Sequence, residues 1–183
     1  MSDRVSGDVV GVLLAAGAGS RYGSPKVLAE GGAWLDSAVA ALVEGGCDRV
    51  VVVLGAADVP VPDGAVSVHA SDWRDGMSAS LKAGLVAAAG AVYAVVHVVD
   101  TPDVGGRVVR AVLSAARASP SHLARATFSG APGHPVVFGA EHWDEVVATA
   151  SGDAGAREFL RGRPDVIGVE CSEWATGVDH DYR

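Results

Sequence analysis

The chain has 183 residues, 49% of them hydrophobic and 20% charged, with 14 Lys and Arg against 22 Asp and Glu for a net charge of −8. That is one globular domain, residues 1–183, with enough apolar material for a core; it excludes a disordered chain, and its acidity demotes nucleic-acid binding. Apolar runs of about eight residues, a polar Met1–Asp8 and two cysteines, Cys47 and Cys171, without framework or metal spacing leave no membrane or signal segment, so a cytoplasmic protein with reduced thiols is expected.

Val9 to Leu14 is a continuous apolar run ended by Gly17, the pattern of a strand buried on both faces. Leu35, Ala38, Val39, Leu42 and Val43 form a helical stripe that Gly45 and Gly46 stop. Two more apolar runs follow, Val50 to Leu54 and Val66 to His69. Met77, Leu81, Leu85 and Ala88 predict a helix with Asp75 as its cap. Val92 to Val99 is the longest run and ends at Asp100; His97 inside it reads as a core histidine. Val108, Val109, Val112 and Leu113 predict a helix that Asp103 caps and Ser119-Pro120 closes. Ala126 to Phe128 and Val136 to Phe138 read as strands. Trp143, Val146 and Val147 read as helix, as does Gly155 to Leu160 behind Asp153, and Val166 to Val169 is a last strand. The four tryptophans, Trp34, Trp73, Trp143 and Trp174, read as core or rim.

Strands alternating with helical stretches predict an α/β fold: a three-layer, doubly wound, mostly parallel sheet with helices on both faces. Ligands of such sheets bind outside the carboxyl ends of the strands. The first such end is Leu14-Ala15-Ala16-Gly17-Ala18-Gly19-Ser20-Arg21-Tyr22-Gly23-Ser24-Pro25-Lys26. Small residues let backbone N–H groups approach an anion, and Arg21 and Lys26 add positive charge in an acidic chain, so a polyphosphate is the natural guest. No Gly-Lys-Ser/Thr follows the glycines, so this is no Walker loop. The glycine spacing and Pro25 also fit the dinucleotide fingerprint poorly.

The same segment resembles the L-A-A-G-x-G-x-R-[M/Y]-G-x-P-K signature of MobA-like nucleotidyltransferases, more narrowly the molybdenum-cofactor cytidylyltransferase branch. Gly76-Met77-Ser78-Ala79-Ser80-Leu81 resembles the family's G-M-S-x-S-L segment, and Asp100-Thr101-Pro102 its D-x-P motif. Gly133-His134-Pro135 and Gly152-Asp153-Ala154-Gly155-Ala156-Arg157 resemble its G-H-P and G-D-x-G-A-R motifs, in the family order. The resemblance implies a Rossmann-like fold of the nucleotide-diphospho-sugar transferase type. It implies CTP bound by Leu14, Ala15, Ala16, Gly17, Gly19, Arg21, Lys26, Ser78 and Ser80, with Arg21, Lys26 and Asp100 catalytic. It further implies Mg²⁺ on Asp100, a molybdopterin-type phosphorylated acceptor met by His134 and Arg157, and a molybdoenzyme or chaperone partner.

The family's second metal carboxylate lies in a C-terminal D-[IV]-D-T-P. Here the chain reads Gly177-Val178-Asp179-His180-Asp181, so Asp179 matches the second acidic position, Asp181 is a substitute, and a solvated acidic tail is the alternative. Two other classes stay open. Tyr22 and Thr101 are shared with relatives named nicotine blue oxidoreductase, which would make this a nicotinamide-dependent reductase. The altered tail also fits a non-catalytic cofactor-binding module.

Overall fold

The computed structural model describes residues 7–182; most of the polar N-terminus considered above lies outside them. The apolar runs are strands: β1 (Val9–Leu14), β2 (Arg49–Leu54), β3 (Ala65–His69) and β4 (Tyr93–Val98), with every residue of β1 and β4 buried. Three more follow, β5 (Leu123–Phe128), β6 (Ala131–Gly139) and β7 (Ile167–Glu170). The helices are α1 (Ala33–Glu44), α2 (Met77–Ala87), α3 (Gly106–Ala118), α4 (Trp143–Thr149) and α5 (Arg157–Leu160).

The sheet order is β3-β2-β1-β4-β6-β5-β7. Only β6 runs against its neighbours β4 and β5. The cause is local: Ser129 (φ 50°) and Gly130 (φ 79°) join β5 to β6 through a tight turn that only an antiparallel pair can use. One face of the sheet packs Leu13, Val52 and Val95 under α1 and α3 through Leu42, Val109 and Leu113. The other packs Val12, Val53 and Phe138 under Leu81 of α2, Val146 of α4 and Phe159 of α5. Gly84 lets α2 lie close to β1, since a Cβ there would stand 2.3 Å from Val12 Cγ1. The doubly wound sandwich expected from the apolar pattern is therefore the fold.

The three cap assignments need correction. Gly76 (φ 104°), not Asp75, precedes α2, and Asp75 sits in a 3-10 turn. α3 starts three residues after Asp103, whose carboxylate accepts instead from Thr176 N and Oγ1, both at 2.6 Å. Asp153 lies in a separate 3-10 turn, and Ala156 precedes α5. In each case the carboxylate is close to a helix in sequence, while the chain turns once more before the helix begins. No described helix is long and apolar enough to cross a membrane.

Glu170, at the end of β7, ties that strand to the β5–β6 turn. Its carboxylate accepts from the Ser172 hydroxyl and from the backbone N–H groups of Gly130, Ser129 and Ser172. These bonds favour the anion and hold its pKa down, at about 2. A depressed carboxyl contributes stability above its unfolded pKa and loses it as pH falls through the folded value. The expected result is a Glu170 carboxyl resonance titrating near 2 by NMR, with the turn loosening on the same curve; an ordinary midpoint would refute it.

Candidate active site at the carboxyl ends of β1 and β4

The chain leaves β1 for β2 on one side and returns from β3 to β4 on the other, so the strand order reverses between β1 and β4. That reversal opens a crevice outside their carboxyl ends. A cleft of about 580 Å³ lies there. The loop after Leu14 walls it: Ala15 N bonds Val53 O at 3.0 Å, so the chain stays in sheet-like contact before turning away. Gly19 (φ 61°) then closes the turn, and no side chain fits, because a Cβ would stand 2.0 Å from Ser24 O. Gly23 N returns a bond to Gly19 O at 2.8 Å. Pro25 ends the loop and starts the 3-10 segment Lys26–Gly32, fixing where Lys26 leaves the backbone.

Lys26 Nζ donates to Asp100 Oδ2 at 2.6 Å and to Asp181 Oδ1 at 2.8 Å. Its side chain is only 15% exposed, and Asp100 is 21% exposed. Burial lowers the Lys26 pKa, but the two carboxylate bonds outweigh it and the net shift is upward. Arg21, 72% exposed, approaches Asp181 Oδ2 at 3.8 Å. Asp181 is held below the usual carboxylate range chiefly by its bond from Lys26. Asp179 moves the other way, raised by burial and then by the charges of Asp100 and Asp181.

Part of the set expected here meets in the cleft, while Asp179, His134 and Arg157 are not among its lining residues. Leu14, Ala15, Ala16, Gly17, Gly19, Arg21, Lys26, Ser80 and Asp100 all line the cleft. Ser78 is turned away: buried, it donates to Gly152 O at 2.6 Å and pins the Gly152–Ala154 turn onto α2. Asp181, named in the sequence only as a substitute, is the tail carboxylate that lines the cleft. Trp73 and Arg74 also line it, and sequence reasoning missed both as site residues. The Trp73 indole abuts Gly55 and carries the Arg74 guanidinium 4.6 Å above its ring, so a platform holds a cation at the rim. An aromatic followed by Arg just before a glycine-led helix was the available signal.

The tail straps across this end of the sheet. His180 N donates to Asp100 O at 3.0 Å, and the His180 ring packs edge-on to Trp34 at 5.3 Å. Gly177 (φ 63°) sits against Phe128, where a Cβ would stand 2.3 Å from the ring. The position at which the resemblance carries its first acidic residue therefore has no room for a side chain, and the carboxylates arrive later, at 179 and 181. Among the described residues no group of three or more His, Cys, Asp or Glu side chains is placed to cage a metal.

His134 follows a glycine in β6 and precedes a cis-proline bond. Burial, then the Arg125 charge, lowers its pKa to about 4 against the opposing pull of Asp100, so its ring is neutral at neutral pH. His97 is fully buried, as a core histidine should be, and burial lowers its pKa to about 3; neither ring nitrogen has a partner. Arg157 opens α5 and is exposed.

A family model described as the MobA-like NTP transferase domain matches residues 11–167. A Paenarthrobacter nicotinovorans protein named nicotine blue oxidoreductase is 38% identical over 191 residues, covering 94% of this chain and 92% of its own. A nucleotidyl transferase from Methanothermobacter thermautotroptrophicus superposes with a TM-score of 0.79 at 21% identity, over 96% of this chain and 92% of that one. The 2-C-methyl-D-erythritol 4-phosphate cytidylyltransferase of Thermus thermophilus gives 0.67 at 28% identity, over 93% of each.

Proposed function

The chain belongs to the MobA-like NTP transferase family, and from that premise we propose that, as a single domain, it transfers CMP from CTP to the phosphate of a small acceptor of the molybdopterin type. What carries the proposal is the contact between Lys26 and Asp100 beside a glycine loop, at the point where the strand order reverses. An oxygen of the acceptor phosphate attacks the α-phosphorus. The new O–P bond forms as the bond to the β-phosphate oxygen breaks, and pyrophosphate leaves. The nucleophile is already an anion, so no strong base is needed, and the work is alignment and charge neutralisation.

In this reading backbone N–H groups of the glycine loop and the Arg21 and Lys26 side chains receive the triphosphate. Asp181 now occupies the cationic seat that a triphosphate would take, so nucleotide entry exchanges one anion for another on Lys26. Asp100 and Asp179 are the carboxylates for a divalent ion. Two carboxylates without a full cage fit Mg²⁺, which keeps waters and shares phosphate oxygens. When bound, the ion would screen the phosphates from each other. His134 and Arg157 face the acceptor in this scheme. The Leu14-Ala15-Ala16-Gly17 opening supports cytosine, as in the cytidylyl branch.

The 38% identical relative's name favours a second reading, reduction by a nicotinamide dinucleotide held in the same cleft. Thermal shift with CTP and Mg²⁺ against NADH and NADPH separates the two. The expected result is stabilisation by CTP with Mg²⁺ and pyrophosphate release on adding acceptor. Stabilisation by NADH or NADPH alone, with no pyrophosphate from any nucleotide, overturns the transfer reading. Pyrophosphate release equally excludes a non-catalytic module.

A further inference from the structure

Arginine is rarely buried without a partner, because an unpaired cation loses its hydration and gains nothing in return. Most described arginines obey this: Arg49 and Arg110 donate to carbonyls, Arg21, Arg161 and Arg163 meet carboxylates, and others lie on aromatic rings. Arg125, half-buried, breaks the rule, and Arg157, though exposed, is likewise without a partner among the described residues. Neither side chain has a hydrogen bond or ion pair among the described residues, and the Arg125 Nε is buried without an acceptor.

Arg157 opens α5, which packs on the sheet face of Leu123, and the two arginines lie within electrostatic reach of each other. Burial first, and then the charge of Arg157, pull the Arg125 pKa down. Arg125 stands in β5 opposite Val136 of β6, two residues beyond Leu123, whose side chain packs on the face that α2, α4 and α5 cover. Between the pairs Arg125–Val136 and Thr127–Pro132, β5 spends one residue, Ala126, while β6 spends three, Gly133, His134 and Pro135. Such a bulge re-aims side chains and ends ladder pairing at the rim of a site. His134, on that bulge, lies within electrostatic reach of both Arg125 and Asp100. His134 thus links the arginines electrostatically to Asp100, although none of the three lines the cleft that holds Lys26.

We infer that Arg125 and Arg157, with His134 on their Asp100 side, form a seat for the dianionic phosphate of a phosphate-monoester acceptor. The inference rests on the transfer reading for the acceptor's identity and adds Arg125, which no motif marked. Two planar guanidinium forks match a phosphate's oxygens bidentately, and a dianion relieves the repulsion between them. It also explains why an unpaired cation is kept inside a strand: the missing partner arrives with the substrate.

The test uses inorganic phosphate as the probe, without nucleotide, on the full chain. Wild type, Lys26→Ala, Arg125→Gln and Arg157→Gln are titrated while arginine Nε–H resonances and melting temperature are followed. Phosphate should perturb the Arg125 Nε–H in wild type and in Lys26→Ala alike, since the seat is separate from the triphosphate loop. Each glutamine variant should weaken that binding by about tenfold or more, as loss of a charge-assisted bond does. Without phosphate, Arg125→Gln should melt no lower than wild type, because it removes an uncompensated charge. Arg157→Gln, at an exposed position, answers the question if Arg125→Gln fails to fold. Wild-type phosphate affinity in the glutamine variants that fold overturns the seat and leaves nucleotidyl transfer standing. Intact phosphate binding with no pyrophosphate release from CTP does the reverse.

Discussion

Replacing Lys26 with Ala is expected to lower nucleotidyl transfer by about 10²–10³-fold, the usual cost of removing one preorganised charge from a developing phosphate anion. The fold should survive. Lys26 belongs to a surface cleft, and the apolar faces on either side of the sheet do not use its ammonium. What changes is local charge. Asp100 and Asp181 each lose their bond to Lys26, and Asp179, already raised by their charges, loses the cation that opposes them. The tail should loosen while circular dichroism stays that of wild type. Lys26→Arg keeps the charge but replaces a compact ammonium between two carboxylates with a wide planar fork, so it should recover only part of the rate. The pH dependence has a defined sign. A raised lysine pKa contributes stability below its unfolded value, and that contribution is lost only as pH rises through the folded value. Wild-type pyrophosphate release by Lys26→Ala would remove the basis of the functional assignment.

Asp100→Asn is expected to cost about 10³-fold in turnover, because it neutralises both the carboxylate proposed for the metal and the anionic partner of Lys26 in one change. The substitution is clean in one respect. The tail bonds the backbone oxygen of residue 100, through His180 N, so neutralising the side chain leaves that link in place and lost activity is not lost docking. Manganese affinity, read by electron paramagnetic resonance with nucleotide present, should fall in parallel with rate. Unchanged manganese binding would move the metal away from Asp100 and onto the carboxylates of the tail.

The sandwich itself was legible in the sequence because its signal is local. A strand buried on both faces is apolar at nearly every position, so Val9–Leu14 and Tyr93–Val98, where only His97 interrupts the run, declare themselves without knowledge of their neighbours. The glycine loop is equally local, since Gly19 is required by a contact with Ser24 only five residues away. Family motifs then carried Lys26 and Asp100 into one expected site, 74 residues apart in the chain, and the structure joins them. The direction of β6 was also within reach, in the Ser129-Gly130 turn, but the apolar runs around it carry no sense of direction.

Other features depended on contacts no periodicity encodes. Which tail carboxylate reaches Lys26 was settled by a strap that crosses 155 residues of chain and turns at Gly177 against Phe128. Asp75, Asp103 and Asp153 resemble caps because a cap is recognised by its place before a helix, while the real helix starts depend on how each loop packs. Arg125 reads in the sequence as an ordinary basic residue within a strand. Only the assembled sheet shows that it has no counter-ion and stands within electrostatic reach of a second arginine. Composition and spacing determine which segments must be buried; which charges are left without partners is decided when distant segments meet, because electrostatic pairing is a property of space and not of chain order.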